Sequence, residues 1–92
     1  MTTRVHDNAA LSRFELAEDG EVAVAAYELA GKVITFTHTV VPRALRGRGV
    51  AGRLVAAALE QVRASGLKVI PACSFVAGYM AEHAETRDLL AG

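Results

Sequence analysis

The order of hydrophobic patterns along the chain predicts an α+β (mixed α/β) fold: an antiparallel β-meander, then a helix, a parallel strand and a second helix. Three observations carry this. Before residue 42, segments of alternating apolar and polar side chains recur with a period of two, separated by glycine turns. From Gly49 to Ser65 the period becomes that of an amphipathic helix. Then comes Leu67-Lys68-Val69-Ile70, a short apolar run. A strand reached through a helix pairs parallel with the strand it left, by a right-handed crossover.

The first twelve residues give weak signals, a short strand around Arg4–His6 and a turn at Asp7-Asn8. Arg13 to Glu18 alternates, with Phe14 and Leu16 on one face. Asp19-Gly20 is a two-residue hairpin signal, because both central positions of a type I′ turn need positive φ. Glu21 to Leu29 returns antiparallel, and Ala30-Gly31-Lys32 makes the next turn. Val33 to Val41, rich in Val, Ile, Thr and Phe, is the strongest strand. In the helix, Val50, Leu54, Ala58 and Val62 recur at i+4, and Gly66 is placed to end it. A second helix is expected from Cys73 to His83, and Asp88-Leu89-Leu90 is expected to tuck against the sheet.

Ninety-two residues make one small domain, residues 1–92, with a real but modest core. No apolar run approaches the ~20 residues of a membrane span. The start, Met1 to His6, lacks the apolar stretch of a signal peptide. One cysteine excludes an intramolecular disulfide. A cytoplasmic protein, monomeric or weakly dimeric, is the expectation. The net charge is zero, but residues 1–41 carry three basic and six acidic side chains, whereas residues 43–68 carry six basic and one acidic. A local positive field beside an acidic remainder suits an anionic cofactor meeting a cationic acceptor.

The positive field centres on Val40-Val41-Pro42-Arg43-Ala44-Leu45-Arg46-Gly47-Arg48-Gly49-Val50-Ala51-Gly52. Pro42 has no N–H, so the preceding strand ends or splays there. Gly47 and Gly49 let a ligand approach the backbone. The first-turn N–H groups of the helix have no intrahelical partner and form the positive end of its dipole. Together with Arg46 and Arg48 they make a site for a phosphate or pyrophosphate. Gly47-x-Gly49-x-x-Gly52 also fits the dinucleotide pattern, but Lys68 to Tyr79 holds no acidic residue for a ribose. The phosphate-loop pattern is absent.

The stretch resembles the acyl-CoA site of the GNAT superfamily of N-acyltransferases, a strand followed by (R/Q)-x-x-G-x-(G/A) at a helix start. Here that is Arg46-Gly47-Arg48-Gly49-Val50-Ala51. The flanks, His38-Thr39-Val40-Val41-Pro42 and Pro71-Ala72-Cys73-Ser74-Phe75-Val76, look like those of the very small single-domain GNAT proteins. The resemblance covers roughly Phe14 to Leu90. It implies a minimal GNAT-like fold that lacks the early helices and last two strands of longer members, pieces that normally shape the acceptor pocket. It further implies acetyl-CoA or CoA held by Val40, Val41, Arg46, Gly47, Arg48, Gly49, Val50, Ala51 and Gly52, with Arg46 contributing more than a solvated Arg48. The implied activity is N-acetyl transfer to an amine on a small molecule or protein.

Such a transfer needs a base for the amine, a polarised thioester carbonyl and a stabilised leaving thiolate. On chemistry alone His38 is equally a neutral imidazole that can take the proton and a structural histidine at a sheet edge. The resemblance, in which a histidine stands two residues before the Val-Val-Pro turn, makes it the expected base. Alternation puts it on the face of Ile34, Phe36 and Val40, with Thr35, Thr37 and Thr39 opposite. Cys73 opens the second helix, where the dipole favours a thiolate. A nucleophile, an acid for the leaving group and a small apolar residue beside the ligand all remain open for it. Tyr79 reads as a core tyrosine. No Cys/His/Asp/Glu set has metal spacing, so no metal is expected. Nucleic-acid binding through Arg43, Arg46, Arg48 and Arg53 is disfavoured by the neutral charge and the core-like aromatics. The alternative is a CoA-binding module with little or no catalysis.

Overall fold

A computed structural model describes residues 5–91. It contains one five-stranded mixed sheet in the order β1-β2-β3-β4-β5. The strands are β1 (Val5–Asn8), β2 (Arg13–Glu18), β3 (Glu21–Ala30), β4 (Val33–Val40) and β5 (Lys68–Pro71). The first four pair antiparallel, and β5 pairs parallel with β4. Helix α1 (Val50–Ala64) joins β4 to β5, and α2 (Ser74–Glu82) follows β5. The α+β order read from the sequence is the order observed.

Local chemistry accounts for the turns. Asp19 and Gly20 both have positive φ, 51° and 76°, and join Glu18 to its cross-strand partner Glu21. Asp7 and Asn8, expected as a turn, instead belong to β1, and the part of the expected strand at Arg4 lies outside the described residues. Asn8 is still used as a turn residue one step later. Its side-chain oxygen accepts from the Leu11 N–H at 3.3 Å and starts a short 3-10 turn, Ala9–Leu11. Asp7 accepts a hydrogen bond from the Tyr27 hydroxyl at 2.6 Å, which fixes the edge strand to the third strand of the sheet.

One face of the sheet makes the core. Phe14, Leu16, Ala23, Ala25, Tyr27, Ile34, Phe36 and Val69 pack with Leu54, Val55, Ala58, Leu59 and Val62 of α1 and with Val76 and Met80 of α2. Leu89 seals the end, and Leu90 bridges to Val69 beyond β5, the tucking expected for this segment. Residues of the opposite face, among them Val24, Ala26, Glu28, Thr35 and Ile70, are none of them buried. Both helices therefore serve one side, and among the described residues the other side of the sheet is open.

Candidate functional site

The site begins where two strands part. β4 and β5 pair from Val33 with Lys68 to Phe36 with Pro71. Pro71 has no N–H with which to extend the ladder. A last bond follows, from the Cys73 N–H to the Phe36 carbonyl at 2.8 Å. Beyond it β4 runs on to Val40 while the other chain turns away into α2, leaving a wedge between them.

An irregularity decides which side chains face that wedge. The β3–β4 register passes from Tyr27 opposite Phe36 to Ala26 opposite His38, so Thr37 is an extra residue on β4. Its hydroxyl donates to the Ala26 carbonyl at 3.3 Å. Such a bulge reverses the alternation after it. His38 and Val40, expected on the face of Phe36, instead lie opposite Ala26 and Val24 on the open face, and both are exposed. Thr39, expected on the other face, lies opposite buried Ala25 on the helix-covered side.

The glycine-rich turn lies against the mouth of the wedge. A 3-10 turn, Arg43–Leu45, buries Leu45 as its anchor. The chain then passes through Gly47 at φ +82° and Gly49 at φ +69°, conformations that side chains disfavour. Arg46 folds back so that its Nε donates to the Val41 carbonyl at 3.3 Å. Gly49 occupies the cap position of α1 with no side-chain cap. The first-turn N–H groups of Val50, Ala51 and Gly52 are thus left to a ligand or solvent. Gly52 is different from the other two glycines. It lies inside α1, has no positive φ, and a Cβ there would meet no protein atom within 4 Å. Neither backbone conformation nor packing calls for glycine at this position.

Two adjoining cavities form one groove from this turn to the wedge. The first, about 270 Å³, is lined by Val41, Leu45, Arg46, Gly47, Gly49, Val50, Ala51, Gly52 and Phe75. The second, about 310 Å³, is lined by Thr39, Val40, Val41, Arg46, Ala51 and Phe75. Eight of the nine residues expected around the cofactor line this groove; Arg48 does not. Arg48 is exposed, as expected. It is ion-paired with Asp19 at the tip of the β2–β3 hairpin. Phe75 was not singled out from the sequence. Its signal was an apolar residue of α2 lying off the buried Val76–Met80 stripe, and it is 42% exposed.

Cys73 and His38 end up on opposite sides of β4. The Cys73 sulfur is half-buried, 3.3 Å from the Thr39 hydroxyl. Burial pushes its thiol up. The Thr39 hydroxyl and the backbone groups of Val76, Phe75 and Thr39 together outweigh burial and hold it below the ordinary thiol value. Because Thr39 also lines the groove, this sulfur sits beside the groove's inner end. Tyr79 is half-buried and stacks on His83 with ring centroids 3.8 Å apart. Among the described residues no group of His, Cys, Asp and Glu could hold a metal ion.

A family model described as GCN5-related N-acetyl-transferase matches residues 13–89, which spans β2 to β5, both helices and the glycine turn. The chain belongs to that family. Relatives of this chain include Protein NATD1 of Gallus gallus, Mus musculus and Homo sapiens, each 42% identical over 62 residues covering 66% of the chain. The chain spans a little over half the length of these relatives. A GCN5-like protein of Staphylococcus aureus, solved by NMR, has the same fold. It is 26% identical with a TM-score of 0.73, covering 100% of this chain and 92% of its own. GNAT proteins generally use acetyl-CoA as co-substrate.

The thiol geometry gives a prediction. Alkylation of Cys73 by iodoacetamide should reach half its limiting rate at a pH below that of an ordinary cysteine. Thr39→Val, which keeps the shape and removes the hydroxyl, should move that midpoint upward. An unmoved midpoint would mean that Thr39 does not stabilise the thiolate.

Proposed function

We propose that this chain binds acetyl-CoA in the groove between the Arg46–Gly52 turn and the wedge, and transfers the acetyl group to an amine. The observation that carries this reading is Gly52. A glycine inside a helix costs about 0.5–1 kcal/mol relative to alanine, and the fold recovers nothing for it here. A ligand lying against the helix backbone supplies the reason. The pyrophosphate would meet the N–H groups of Val50, Ala51 and Gly52 and the Arg46 guanidinium. The pantetheine arm would follow Val41, Ala51 and Phe75 to Thr39.

Acetyl-CoA supplies an activated thioester. The chain's own residues orient it; the amine attacks the thioester carbonyl, and CoA leaves as its thiolate. His38, across β4 from Cys73, takes the amine's proton at the rim of the strand through a water. His38 is on the open, exposed sheet face, which leaves room for an acceptor as large as a protein amine. Direct transfer is the leading reading. A second reading, favoured by the lowered Cys73 thiol, makes that sulfur a transient acetyl acceptor.

Two experiments test the proposal. Gly52→Ala should raise stability by about 0.5–1 kcal/mol and weaken CoA binding measured by calorimetry. Unchanged affinity would remove the cofactor from this helix. His38→Ala should lower kcat with an amine panel while nearly preserving CoA affinity, a loss of transition-state stabilisation rather than of binding. Under direct transfer Cys73→Ala retains activity, and acetyl-CoA alone leaves no acetyl adduct on Cys73. A fast adduct that an amine discharges establishes the second reading. CoA binding without turnover for any amine leaves a binding module.

A further inference from the structure

We infer that the tip of the β2–β3 hairpin positions the phosphate-binding turn, with Asp19 and Glu18 acting on cofactor phosphates that they do not touch. The inference rests on reading Arg46–Gly52 as the phosphate turn. Between buried Leu45 and α1 the backbone passes two glycines of positive φ, with Arg48 between them. Such a segment is costly to hold in one conformation. The N–H groups of this turn and of the uncapped helix start bind an anion well only if they are held ready.

Two side chains hold it. Arg46 reaches the Val41 carbonyl within the turn itself. Arg48 reaches across 29 residues of sequence to the Asp19 carboxylate. Asp19 is presented from a tight hairpin turn at φ +51°, so its carboxylate is well placed. The tie is doubled one turn into α1. Arg53 donates through both terminal nitrogens to the two oxygens of Glu18, at 3.0 and 3.3 Å. Glu18 also lies 3.9 Å from Arg48 and couples the two pairs. Acidic side chains beside a polyanion site would ordinarily oppose binding. Here each carboxylate is taken up by an arginine that ties the turn or α1 to the sheet, and Arg48 stays out of the groove. The hairpin is the fixed anchor, and the turn takes its shape from it.

The competing account is that Asp19 merely occupies Arg48, which would otherwise grip a phosphate. The two accounts differ in sign. Asp19→Asn keeps a residue tolerated at positive φ, removes one negative charge and breaks the tie. Calorimetric titration of CoA into wild type, Asp19→Asn, Arg48→Gln and the double variant decides between them. Each single variant should bind CoA about two- to fivefold more weakly, the size of an exposed ion-pair coupling, and the double no more weakly than the worse single. Amide hydrogen exchange at Gly47, Arg48 and Gly49, in protein without ligand, should quicken in both single variants at unchanged melting temperature. Tighter or unchanged CoA binding by Asp19→Asn overturns the inference. Wild-type protein that fails to bind CoA overturns the cofactor reading instead, and the exchange rates then decide whether the hairpin shapes the turn.

Discussion

The site depends on where β4 and β5 stop sharing hydrogen bonds. Pairing holds from Val33 to Phe36, and the Cys73 N–H makes the final bond. Past that point the two chains separate, and the wedge places Thr39 and Cys73 at the inner end of a groove whose mouth is the glycine turn. Had β5 kept pairing to the end of β4, a continuous sheet edge would have filled that space. Pro71, which cannot donate, closes the ladder on one side. The Thr37 bulge twists β4 on the other. Two departures from regular pairing, each one residue long, therefore produce the opening.

Charge is distributed to suit this opening. The basic middle of the chain does not face solvent as an undivided patch. Arg48 and Arg53 are matched by Asp19 and Glu18 on the hairpin, and Arg63 is matched by Asp88 near the C-terminal end. Arg46 is left lining the groove. The mouth of the groove thus joins one guanidinium to one helix N-terminus. Among the described residues the open sheet face has no covering helix, and it carries His38 exposed.

Most of the fold was legible because its signals are local. Asp19-Gly20 demands a tight hairpin, the i+4 stripe from Val50 to Val62 demands a helix against the sheet, and Gly49, Ser65, Cys73 and His83 sit where the helices begin and end. The groove was legible for the same reason, since eight of its residues are consecutive or nearly so. What failed was non-local. An inserted residue is invisible to a period-two reading when it is a threonine, acceptable on either face, so His38 was placed on the wrong side of the sheet. Arg48 finds its partner 29 residues back in sequence, across a pairing only the folded sheet supplies. Asp7 reads as a turn residue until Tyr27 is brought to meet it.

The central claim is that one groove, running from the glycine turn to the end of β4, holds the acyl donor. Titration of isotopically labelled protein with acetyl-CoA, followed by backbone amide chemical shifts, tests it most directly. The account predicts the largest shifts at Gly47 to Gly52 and at Thr39 to Val41, with Phe75 following and the β1–β2 edge unmoved. Shifts concentrated on the open sheet face, or at the far end of α1 beside Arg63 and Glu85, would contradict it.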